Sequence, residues 1–155
     1  VLWLFLHEAG VHATIAGVLL VVGAGGGFGR VLDAAGVDTA IAQSMSGMQL
    51  SPMVLGWVVA ALLRVSVGSA TVATVTAASI MAPIATAMPG TNKDLLVIAI
   101  GAGSLIASHV NDGGFWLVKE YFNMSISQTV STWTVLETIV SVLGLAGVLL
   151  LGLIV

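Results

Sequence analysis

The chain has 155 residues, of which 58% are hydrophobic and 7% charged, with a net charge of −3 and a mean hydropathy of +1.13. A soluble domain carries about 25% charged residues, so this sequence cannot cover itself with a hydrated surface and reads as an integral membrane protein. Its thin charge forms no basic patch, which excludes nucleic acid as a partner, and the lack of cysteine excludes disulfide frameworks and thiolate metal sites.

Val1 lies inside an apolar run with no initiator Met and no basic leader, so the chain is read as the C-terminal part of a longer protein. His7 and His12 suggest zinc but are five residues apart, about 140° around a helix. A metalloprotease needs His at i and i+4. A polar junction between membrane elements is the simpler reading. Residues 23–29, GAGGGFG, fail the dinucleotide fingerprint in both registers, because Phe28 or Arg30 falls at its third glycine. Five glycines in seven residues predict an unwound helix there rather than a packing face, since each interior glycine costs a helix about 1 kcal/mol.

Residues 31–50 are the least hydrophobic and suggest an amphipathic or re-entrant connection. Residues 52–63 are apolar but too short to span, and end at Arg64. Residues 65–88 are long enough to span and are built from Ala, Ser, Thr and Gly, which suits a helix packed inside protein. Pro83 and Pro89-Gly90 punctuate its end. The apolar run from Leu95 stops at Ser108-His109-Val110-Asn111-Asp112-Gly113-Gly114 and resumes at Phe115. Residues 95–108 fall short of the about 20 apolar residues a bilayer needs. Polar backbone at membrane depth survives only inside protein or beside a wet cavity. Half-helix, polar break, half-helix is a way secondary transporters build a substrate site. Residues 123–131 read as a polar connection. Residues 133–155 read as a conventional span with Trp133 as an interfacial anchor and Glu137 near the interface. The predicted class is an all-α, polytopic membrane protein with a discontinuous helix and re-entrant elements.

Arg64 is one of four cationic side chains and precedes a hydroxyl-rich helix start. There, free N–H groups and a helix dipole favour anions. Ser66, Gly68, Ser69 and Thr71 are the donors that start offers, whereas Thr76 and Ser79 are expected to bond back to their own helix. His109, Asn111 and Asp112 form the densest polar group in apolar surroundings. Asp112 and His109 are the candidates for a coupling proton, because a buried carboxyl and an imidazole both reach protonation near neutral pH. The two interruptions, at 66–72 and 108–114, are expected to face one another across a shared wet pocket. No cofactor or metal is expected.

GAGGGFGRVL (residues 23–32), LLRVSVGSATVATVTAA (62–78), AIGAGSLIASHVNDGGFWLVKEYF (99–122) and STWTVLETIVSVLGLAGVLLL (131–151) together resemble the C-terminal third of the gluconate permease family. SHVNDGGFW followed by KEYF, with GSATVA upstream, is the most specific part. The resemblance implies a multi-pass secondary transporter of the bacterial plasma (inner) membrane, of which this chain is one inverted-repeat half. It implies proton symport of gluconate, with relatives that carry other sugar acids and D-serine. The remaining partners would be protons, lipid and the N-terminal half of the same transporter. A scaffolding membrane segment is the alternative. A membrane enzyme is disfavoured, because no nucleophile has a base at usable spacing and no G-x-S-x-G elbow exists.

Overall fold

The computed structural model describes residues 51–88 and 90–154, with isolated positions at 23, 27, 31 and 34–36. Pro52 opens α1 (Pro52–Val67), where its fixed φ suits a first turn and its missing N–H would have had no helical partner. α1 stops where Gly68 adopts φ +76° and its N–H closes on the Arg64 carbonyl. Ser69 is extended, and its hydroxyl accepts the Val72 N–H to start α2 (Ala70–Ala87). The apolar stretch 65–88 is therefore divided within the interruption expected at 66–72, and its helix proper is Ala70–Ala87. A C-cap glycine and an N-cap serine stand back to back, so the chain breaks after Val67, and the preceding helix runs on through Arg64.

α2 returns along α1, closing a helical hairpin whose open end brings Ser51–Met53 beside Met88 and Thr91. α3 (Lys93–Gly103) starts where the Asn92 side chain accepts the N–H groups of Asp94 and Leu95. It lies against α1 through glycines. Gly56 meets Leu96 and Ile100, and a Cβ on Gly103 would come within 3.0 Å of both Ala60 and the Trp57 carbonyl carbon. The core of this three-helix layer is Ala60, Ala77, Met81, Ile84, Leu96 and Ile100.

Residues 104–112 leave the helix before α4 (Gly113–Tyr121) begins. At 11 residues, α3 is about 16 Å long, roughly half a hydrocarbon core. The predicted half-helix, break, half-helix pattern is present. α5 (Ile126–Thr129), a π-helical turn (Val130–Thr134) and α6 (Val135–Leu151) then form one helical run of 26 residues. The polar connection expected over 123–131 is shorter than predicted, because Ser125 and Gln128 make a reciprocal capping box that starts the helix at Ile126. α6 runs antiparallel to α3, with Gly144 against Ala102 and Gly152 near Leu95.

Among the described residues, two helices, Ala70–Ala87 and Ile126–Leu151, are long and apolar enough to cross a membrane. Leu136, Ile139, Val140, Leu143 and Leu150 stand exposed along α6, a surface suited to lipid rather than water. Gly23 and Gly27 are helical, so the predicted unwinding is not found at those two positions. The rest of that glycine run, the His7–His12 junction and most of residues 31–50 lie outside the described residues.

Candidate functional site

The two breaks meet. Arg64, in the last turn of α1, is only 3% exposed, and its Nη2 donates to Asp112 Oδ2 at 2.5 Å. Asp112 is also the N-cap of α4: its Oδ1 accepts the Gly114 N–H at 2.9 Å, while Oδ2 accepts the Ser108 hydroxyl. Asn111 Nδ2 donates to the Val65 carbonyl at 2.9 Å, satisfying an acceptor that the end of α1 would otherwise leave open. Gly68 is required here. A Cβ on it would lie 2.6 Å from the Asn111 side-chain carbon and also strike the Asn111 backbone. The breaks therefore touch through hydrogen bonds and backbone, where the sequence suggested a pocket between them.

Arg64 is not fully satisfied. Its Nε and Nη1 are buried and have no hydrogen-bond partner among the described residues. A buried charged donor left open costs more than the about 1–3 kcal/mol of a neutral one, so the arrangement points to an acceptor that arrives from elsewhere. α2 and α4 both begin at this junction, at Ala70 and Gly113, and each N-terminus adds a partial positive charge. One guanidinium with open donors beside two helix N-termini has the chemistry to take a small anion such as a carboxylate.

The other predicted residues divide. Ser69 caps α2, and Thr71 lies exposed in its first turn. Ser66 is corrected as a ligand: its hydroxyl donates to the Leu62 carbonyl of its own helix at 2.8 Å and has no hydrogen left for an anion. Asn111 spends one Nδ2 hydrogen on the Val65 carbonyl, which leaves its second N–H and its Oδ1 to read hydroxyls. His109 Nδ1 lies 2.8 Å from the Ala107 carbonyl. A carbonyl can only accept, so Nδ1 carries the hydrogen and Nε2 stays open as an acceptor.

Residues from the last helix complete the site, and sequence reasoning missed them. Ser108 is fully buried, and its hydroxyl accepts the Trp133 indole N–H at 2.9 Å while its carbonyl accepts the Thr134 hydroxyl. Ala107 N–H donates to Thr138 Oγ1 at 3.3 Å, and Trp57 Nε1 reaches Ser141 Oγ at 3.1 Å. Trp133 is thus bonded inward, in place of the interfacial anchoring expected of it. The available signal was Thr134, Thr138 and Ser141 at helical spacing on an otherwise Leu- and Val-rich helix. A separate apolar cleft of about 280 Å³ between α2 and α3, lined by Ala78, Met81, Ala85, Leu96 and Ile100, lies toward the far ends of those helices and offers little to an anion.

This junction can be set beside known proteins. Residues 5–154 match the family described as GntP family permease. The chain belongs to the GntP permease family. It is 55% identical over 142 residues to the gluconate permease of Pseudomonas aeruginosa, covering 92% of this chain and 32% of that protein. It is 50% identical over 135 residues to the Gnt-II system L-idonate transporter of Escherichia coli K12, covering 87% and 30%. It is 38% identical over 149 residues to the D-serine transporter DsdX of Escherichia coli O6:H1, covering 96% and 34%. The chain spans about a third of the length of the GntP permeases it matches. No solved structure matches it.

Proposed function

We propose that this chain is the C-terminal, substrate-handling part of a proton-coupled symporter for gluconate or a related sugar acid. It would work with the N-terminal portion of the same permease as a multi-pass protein of the bacterial inner membrane. The observation that carries the reading is Arg64, buried with two unpartnered donor nitrogens where two helix N-termini converge. The substrate carboxylate takes those donors. The hydroxyls of Ser69 and Thr71, the backbone at Gly68 and the Asn111 Oδ1 face the polyol tail. Asp112 and His109 exchange the coupling proton: while ionised, Asp112 competes with the substrate for Arg64, and protonation of Asp112 frees the guanidinium. In this reading α1 and α2 form a re-entrant hairpin, α3 and α4 a discontinuous helix, and together they make one half of an inverted repeat. The relatives named for L-idonate and D-serine support a carboxylate as the shared recognition element, because both of those molecules carry one.

The test is uptake of labelled gluconate by the full-length permease in proteoliposomes, with and without an inward pH gradient. Concentrative uptake should require the gradient and be competed by L-idonate. Uptake that ignores the gradient, or no gluconate uptake at all, refutes the proposal.

A further inference from the structure

One charged group close to the site plays no part in the account above. Glu137 is half-buried on α6, and no hydrogen bond or ion pair reaches its carboxylate among the described residues. Residues three and four apart share a helix face. Glu137 is four after Trp133, three after Thr134 and four before Ser141, and all three bond toward Ser108 or Trp57. Its neighbour Thr138 accepts from Ala107. That face of α6 is the one turned to the 104–112 segment, which carries Asp112, and to α1, which carries Arg64.

We propose that Glu137 is the second carboxylate of a pair, with Asp112, that holds the coupling proton against the single guanidinium of Arg64. The inference rests on the symport reading given above and deepens it. Two carboxylates and one guanidinium sum to −1. Two like charges sharing a water-poor site do not both stay ionised easily, and the proton they retain belongs to the pair. Asp112 has three donors on its oxygens and Glu137 has none. The proton therefore rests on Glu137 while Arg64 grips Asp112, and passes to Asp112 when an incoming carboxylate claims the guanidinium. With the proton bound the cluster is neutral and admits an anion; without it the excess negative charge repels one. Linkage is reciprocal, so the anion raises proton affinity by the same factor. The proton comes from water on one side of the membrane and leaves to water on the other.

Among the described residues, the charged and titratable groups around Glu137 are few. α1 supplies Arg64, and the break supplies Asp112 and His109. Lys93 and Asp94 lie at the far end of antiparallel α3, and Lys119 and Glu120 on α4 pair with each other at 2.7 Å.

The experiment compares wild type, Glu137→Gln and Glu137→Asp in the full-length permease in proteoliposomes, scoring gluconate counterflow and gradient-driven accumulation separately. With one proton per substrate, one pH unit supports about tenfold accumulation. The Gln variant should drop to about onefold while exchanging internal for external gluconate, and Asp should restore part of the accumulation. A Gln variant with wild-type accumulation and pH profile overturns the role of Glu137 and leaves symport standing. Loss of counterflow together with accumulation in the Gln variant also overturns it, since Glu137 would then hold structure or substrate rather than the proton. If wild type itself fails to accumulate gluconate with the gradient, the symport reading falls first.

Discussion

Asp112→Asn isolates a single charge, and its cost follows from three contacts. Oδ1 caps α4 through the Gly114 N–H, and Oδ2 receives both Arg64 and Ser108. Asn is as good an N-cap as Asp, so the cap survives the substitution. The amide has a single oxygen, and with that oxygen at the cap an NH2 group stands where Oδ2 stood, so Arg64 loses its counter-ion and its acceptor while remaining 3% exposed. Removing one partner of a buried ion pair costs about 3–5 kcal/mol, and with the cap kept but the acceptor for Arg64 lost this case lies at about 4. Asp112→Ala should cost about 1 kcal/mol more through the lost cap. Arg64→Met should cost a similar amount, and Arg64→Met with Asp112→Asn less than the sum of the two, because no uncompensated charge is left. The assay is equilibrium unfolding of the full-length permease in mixed micelles, run as a double-mutant cycle. Additive single effects would refute the ion pair as the tie between the breaks. In uptake assays, Asp112→Asn should also lose gradient-driven accumulation while part of its gluconate binding persists. An unchanged pH profile would remove Asp112 from coupling.

Two further substitutions probe the same junction. Gly68→Ala forces a side chain into φ +76° and against Asn111. The left-handed conformation alone costs about 1–2 kcal/mol, so a total above about 2 is expected, and an unfolding change within about 0.5 kcal/mol would show that the breaks are not in contact. Trp133→Phe keeps the ring and removes the N–H that reaches Ser108. It should cost about 1 kcal/mol and raise the KM for gluconate, and an unchanged KM would mean that α6 does not position the break.

The break at 108–114 was legible because its cause is local. Apolar runs too short to span flank a cluster of Asn, Asp and two glycines, and both half-helices appear where that pattern puts them. The break at Gly68–Ser69 was only half legible. The residues stood out as donors, yet the hydropathy of 65–88 is continuous, and hydropathy does not register a glycine taking positive φ. Arg64 stood out by rarity, and its pairing with Asp112 depends on a contact 48 residues away in sequence. Ser66 and Trp133 misled for one reason: residue type predicts what a side chain can bond to, whereas helix phase decides which partner it meets. The polar stripe on α6 was readable in principle, but Leu and Val dominate that helix and drew the reading toward a plain span.

The packing of α1 on α3 sets the site as firmly as the site's own residues do. Gly103 lies against the Trp57 carbonyl and Ala60, and Gly56 lies against Leu96 and Ile100, so the two helices approach closely over two turns. Arg64 is one helical turn beyond Ala60, and Ser108 follows shortly after Gly103, so this approach delivers the guanidinium to Asp112. Sliding α1 along α3 by even part of a turn would drive backbone into backbone at Gly103 and break the Arg64–Asp112 contact together. Packed interfaces of this kind switch between discrete arrangements instead of deforming. The glycine seam favours α1 and α3 holding together as one body, and under the proposed symport the contacts that change would lie on their outer faces, beyond that seam.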